Sequence, residues 1–199
     1  GDIEVFYQEF QNFKNKKIIA VTGTNGKSTF ATILYEILSK SGLKVSLGGN
    51  IGIPALSLNI NECDIIIFEI SSFQLELIED FKADISILLN ITEDHAERYA
   101  SFEEYQKTKI KIFLNQKDED YAILDNTYLS KKILDEINPL PRKIYFNELK
   151  TNAPNLNLNK NRVLKYTLPA LINVTDILRI NRDFVCLLYT SDAADERNS

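Results

Sequence analysis

Residues 20–32 read AVTGTNGKSTFAT. An apolar, β-branched run (residues 16–24) ends in this stretch. Beyond it, STFATILYEILSKSG (28–42) places Ala31, Ile33, Leu34, Ile37 and Leu38 at helical spacing, with Gly42 as a stop. Strand, glycine loop and helix in that order make a phosphate-binding loop. Gly23 and Gly26 let backbone N–H groups turn toward phosphate oxygens, Lys27 reaches the outer phosphates, and Ser28 or Thr29 offers a hydroxyl to Mg²⁺. Thr24 and Asn25 complete the loop. The common pattern, G-x-x-x-x-G-K-[ST], is not met, because counting back from Gly26 puts Val21 where its first glycine stands. The plainer alternative is a glycine turn capping a helix with Lys27 in water; the order of the flanking elements favours phosphate.

Working outward, strand and helix patterns alternate. Strands are expected at 43–49, 63–71, 83–92, 121–125 and 143–146, and helices at 72–81, 101–116 and 126–137. The run at 63–71, CDIIIFEIS, is apolar almost throughout, as a strand covered on both faces must be. Such alternation implies right-handed βαβ units and an α/β fold with a mostly parallel sheet flanked by helices. Residues 155–168, NLNLNKNRVLKYTL, read as a hairpin turning at Asn159–Asn161.

Bulk properties narrow the function. The 199 residues are 44% hydrophobic and 26% charged, enough for one α/β domain with a real core. A net charge of -5 without a long Lys/Arg run argues against a nucleic-acid partner. No apolar stretch approaches the roughly 20 residues of a membrane span. Cys63 and Cys186 offer neither a disulfide framework nor a metal spacing, so a reducing, cytoplasmic setting is expected, with Cys63 in the core. Residues 1–15 read as the end of a linker from a preceding domain and 16–185 as a truncated central domain. Residues 186–199, with CLLYTSDAADE, resemble the translation of a sequencing adapter and are expected to lie outside the fold.

In a parallel sheet, ligands bind at the carboxyl ends of the strands. Glu69 falls there, an acid at the tip of a buried strand beside the phosphate loop, well placed for Mg²⁺. His95, the only histidine, follows the fourth strand between Asp94 and Glu97. In the next helix, Ser101 and Glu104 form a capping box and set the start near Phe102. At about 100° per residue, Lys109 falls at about 340° from Phe102, within the arc of Tyr105, Ile112 and Phe113, whereas Lys107 and Lys111 face water with Glu103 and Glu104. An inward lysine must snorkel, pair or be modified.

The segments GTNGKST (23–29), GGNIGIPAL (48–56), EISSFQLE (69–76), NITEDHAERY (90–99) and YQKTKIKIF (105–113) together resemble the central ATP-binding domain of the Mur ligases. The shortened loop is that family's variant. GGNIGIPAL and SSFQLE are similar to the branch that adds D-glutamate. Glu97 departs conservatively from the family's Asp. The family's "HN" motif is not reproduced in residues 168–184, LPALINVTDILRINRDF.

The resemblance implies ATP-dependent amide synthesis in peptidoglycan precursor formation. The carboxylate of UDP-N-acetylmuramoyl-L-alanine becomes an acyl phosphate, which D-glutamate captures. It implies Lys27 and the 23–29 loop on ATP, Ser28 or Thr29 and Glu69 on one Mg²⁺, His95 and a carbamylated Lys109 on a second, and Asn50 and Ser71 on the sugar-peptide substrate. The catalytic residues it implies are Lys27, His95 and Lys109, in an enzyme that is a monomer when full length. Two alternatives stay open. One is a sister ligase of the folylpolyglutamate synthase type. The other is a stand-alone phosphate-loop nucleotide module, although the N-K-x-D motif of a guanine-specific switch is lacking after the fourth and fifth strands.

Overall fold

A computed structural model describes residues 1–10, 16–92, 98–127, 129–146, 162–181 and 183. Six strands, β1 (Lys17–Thr22), β2 (Val45–Gly49), β3 (Ile65–Glu69), β4 (Ile85–Leu88), β5 (Tyr121–Leu124) and β6 (Arg142–Tyr145), form one sheet in the order β2-β3-β1-β4-β5-β6. Every neighbouring pair is parallel. The helices are α1 (Asp2–Phe10), α2 (Lys27–Lys40), α3 (Ser72–Glu76), α4 (Phe102–Ile110), α5 (Lys131–Glu136) and α6 (Arg162–Ile177).

Strand side chains alternate between the sheet's two faces, and each face has its own core. Ala20, Ile66, Phe68, Leu88, Ala122 and Leu124 join Ile3 and Phe6 of α1, Leu75 of α3, Tyr105 of α4 and Ile133 of α5. Ile19, Val21, Ile65, Ile67, Ile87 and Ile123 join Phe30, Leu34 and Leu38 of α2 and Leu168, Leu171 and Val174 of α6. Cys63 lies in the first core as a free thiol. No helix among the described residues is long and apolar enough to cross a membrane.

Several elements differ from expectation. Helix α5 begins at Lys131 rather than near Asn126, because the Ser130 hydroxyl caps it by accepting from Ile133 N. The hairpin at 155–168 is corrected where its second arm is described: residues 162–168 begin α6. The burial of Leu168, Leu171 and Val174 against α2 overrides the local alternation that suggested strands. Pro169 is accommodated within α6, where Asn173 Nδ2 donates to its carbonyl at 2.7 Å. Helix α3 stops at Glu76 rather than continuing to Phe81, because the amides of Glu79, Asp80 and Phe81 donate to the Glu4 carboxylate of α1. The cap of α4 is partial. Ser101 Oγ accepts from Glu104 N, but the Glu104 carboxylate accepts from Ala100 N instead of completing the box at Ser101.

Candidate phosphate and metal site

The strand order reverses direction about β1, which lies between β3 and β4, so the carboxyl ends of these three strands open the crevice where ligands of α/β sheets bind. Three segments meet there: the 23–26 loop after β1, Glu69 at the tip of β3, and residues 89–92 after β4. The loop closes onto α2 at Gly26, whose φ of 83° is a left-handed conformation that favours glycine. The first helical bond runs from Phe30 N to Gly26 O, and no side chain caps the helix. The amides of Lys27, Ser28 and Thr29 therefore have no intrahelical acceptor and form the positive end of a 14-residue helix. Ser28, Thr29 and Asn25 are exposed. Lys27 folds back, its Nζ donating to Thr24 O at 2.9 Å.

Glu69 is 1% exposed. Its Oε1 accepts from Asn50 Nδ2 at 3.2 Å, while its Oε2 is buried with no hydrogen-bond partner. A buried carboxylate oxygen without a donor is costly unless a cation completes it, so this atom fits a hard metal ion. Asn50 reaches it because β2 ends in two glycines. A Cβ on Gly49 would stand 2.4 Å from Glu69 O, a contact only glycine avoids, and Asn50 N then donates to that same carbonyl at 2.8 Å. Ser71 caps α3 in a complete box with Gln74, and Gln74 Nε2 in turn donates to Asp2 at 3.1 Å. The structure thus brings the loop, Glu69 and Asn50 together, and holds the Ser71 hydroxyl within its cap.

Lys109 points inward as its helical position requires and is 2% exposed. Its ammonium donates to Thr22 Oγ1 and Gly23 O, both at 3.0 Å, directly beneath the phosphate loop. Tyr105, one turn earlier, places its ring 5.4 Å from that ammonium and its hydroxyl 3.2 Å from Thr24 Oγ1. Burial first, and the charge of Lys27 second, lower the Lys109 pKa to about 7, against the opposing pull of Glu69. Burial also lowers the pKa of Lys27, with Glu69 again opposing. The two lysines and the one carboxylate are electrostatically linked. His95 lies outside the described residues, and among the described residues no cluster of three or more His, Cys, Asp or Glu side chains could hold a metal.

One participant escaped the sequence reading. Asn90, after β4, is 2% exposed and makes paired hydrogen bonds to Asn25 of the loop. It opens the 90–99 segment, but nothing in that segment's spacing assigns it a role.

A family model described as the Mur ligase middle domain matches residues 21–172. The chain belongs to this family. Among curated relatives of this Mur ligase domain, the UDP-N-acetylmuramoylalanine–D-glutamate ligase of Haemophilus influenzae is 47% identical over 117 residues, 59% of this chain and 26% of that protein. The enzyme of the same name from Geotalea uraniireducens is 47% identical over 115 residues, 57% of this chain and 25% of that protein. The chain spans about a quarter of the length of these relatives. Among solved structures, a MurF ligase from Thermotoga maritima in complex with ADP superposes with a TM-score of 0.58 at 23% identity, covering 72% of this chain and 35% of that one. A bifunctional folylpolyglutamate synthase/dihydrofolate synthase with Mn, AMPPNP and L-glutamate bound gives 0.53 at 17% identity, covering 72% and 47%. Both share the Mur ligase central fold with this chain.

Proposed function

We propose that this Mur ligase domain is the nucleotide-handling part of an enzyme that joins D-glutamate to UDP-N-acetylmuramoyl-L-alanine through an acyl phosphate. The observation that carries the reading is the unpartnered, buried Oε2 of Glu69 standing at the strand end beside the Lys27 loop, a cation position next to a phosphate position. The identity to D-glutamate-adding enzymes supports this branch over the folylpolyglutamate type, which is matched in fold at lower identity.

In this reading the amides at the start of α2 and the Lys27 ammonium bind the phosphates of ATP, which requires Lys27 to leave the Thr24 carbonyl. Glu69 and a hydroxyl of Ser28 or Thr29 would hold Mg²⁺, which when bound neutralises charge on the transferring phosphoryl group. Asn50 holds the Glu69 carboxylate in place from β2. Asn50 and Ser71 border the crevice where the sugar-peptide would lie. Lys109, its pKa near 7, supplies neutral amine at physiological pH. Attack of that amine on CO₂ forms a nitrogen–carbon bond and releases a proton, and the resulting carbamate would serve a second Mg²⁺ together with His95. Residues 16–185 carry the nucleotide side of a longer enzyme.

Calorimetry tests the core of this reading. The chain is expected to bind Mg-ATP, and Lys27→Ala to remove most of the affinity through loss of a charge-assisted contact. Equal binding by the two proteins overturns it.

A further inference from the structure

We infer that Asn90 is a positioning residue of the phosphate loop: from the end of β4 it grips the N–H and the C=O of Asn25 and keeps that carbonyl turned away from the first turn of α2. The inference rests on the nucleotide reading above. Asn90 Oδ1 accepts from Asn25 N at 2.9 Å, and Asn90 Nδ2 donates to Asn25 O at 2.8 Å. Its main-chain oxygen accepts from Thr24 N at 3.0 Å. The two backbones are nearly touching, since a Cβ on Gly23 would lie 3.3 Å from both the nitrogen and the oxygen of Asn90. A second tie follows two residues on, where Thr92 N donates to Thr24 Oγ1 at 3.0 Å.

The physical need is specific. Asn25 is exposed and precedes a left-handed glycine, so the peptide between Asn25 and Gly26 can rotate at little steric cost. Rotated inward, its carbonyl would compete for the amides of Lys27, Ser28 and Thr29 and repel a phosphate. A side-chain amide offers one donor and one acceptor, which matches the N–H and C=O of a single residue. Aspartate has the same shape but would repel the Asn25 carbonyl, and alanine holds neither group.

The test uses the 199-residue chain, with Asn90→Ala, Asn90→Asp, Ser86→Ala and Lys27→Ala variants. Dissociation constants for Mg-ATP and for Mg-tripolyphosphate are measured beside the melting temperature and the exchange rate of the Asn25 amide. Slow exchange of that amide is expected in the parent. Asn90→Ala is expected to weaken both ligands about tenfold, and Asn90→Asp at least as much despite its identical shape. Ser86, buried on β4 with its hydroxyl on Ile112 O, is the control: Ser86→Ala is expected to lower the melting temperature and leave both dissociation constants unchanged. Parent-like binding by both Asn90 variants, with binding lost in Lys27→Ala, overturns the inference and spares the nucleotide reading. Rapid exchange of the Asn25 amide, or an equal affinity loss in Ser86→Ala, also overturns it. No binding by the parent overturns both.

Discussion

At the scale of single residues, Lys109 holds an ammonium against two neutral oxygens in a place closed to water, with Lys27 close enough to repel it. The unfolded lysine titrates near 10.5 and the folded one near 7. Between those values the unfolded chain holds a proton that the folded chain lacks. Stability is therefore at its lowest below pH 7 as far as this group is concerned and rises with pH up to about 10.5. The rise is about 1.4 kcal/mol per pH unit where the difference is a full proton. Lys109→Met, of similar length and without charge, is expected to flatten the rise. Urea unfolding at pH 6, 8 and 9.5 in carbon-dioxide-free buffer measures it, and identical slopes in the two proteins would place the proton elsewhere. The inward direction of Lys109 was legible in the sequence because it follows from the helical period alone. Its partners were not, since Thr22 and Gly23 lie 87 and 86 residues away and meet it only through the order of the strands. The role of Asn90, which opens the 90–99 segment, was not legible for a related reason: it grips the main chain of Asn25, and main-chain course leaves no mark in residue spacing.

At the scale of elements, α1 and the turn after α3 depend on one carboxylate. Glu4 is 5% exposed and receives the amides of Glu79, Asp80 and Phe81 as well as Gln8 Nε2. Burial alone would raise its pKa; the donors outweigh burial and bring it below 4.5. A lowered carboxyl pKa contributes stability that is present above the unfolded value and is lost as pH falls through the folded one. Glu4→Gln is expected to cost about 1 to 2 kcal/mol at pH 7, and the difference from the parent to narrow toward pH 3. Urea titrations at the two pH values check both parts; an unchanged midpoint at pH 7 would show that the apolar contacts of α1, such as Phe6 against Phe68 at 5.0 Å, suffice without the charge. The same carboxylate explains why the expected helix at 72–81 is short, a contact across 75 residues that no local pattern contains. The strands read well because Ile and Val runs facing two cores have few other homes, whereas residues 162–168 read poorly because their helix is fixed by α2.

At the scale of the whole molecule, the chain spans about a quarter of its relatives' length, and the proposal assigns it the phosphate side of the reaction. Amide formation also needs a carboxylate and an amine aligned within about 3 to 3.5 Å of their targets. The chain is expected to bind Mg-ATP and yet form no D-glutamyl amide; product above a no-enzyme control, detected by mass spectrometry, would show that these residues hold all three reactants. The strand order has another consequence, which concerns birth rather than catalysis. β1 is made first but its two neighbours are β3 and β4, so both of its edges stay bare for roughly 45 residues, until β3 is made, and one stays bare for roughly 65, roughly 3 to 13 s at ribosomal speeds. During that interval α2 can shelter only one face of KIIAVT. A strand so apolar, with two open edges, invites pairing with a neighbouring nascent chain. The arrangement that places the 23–26 loop at the centre of the finished sheet thus leaves one edge of its supporting strand unpaired on the polysome until Ile85–Leu88 is made.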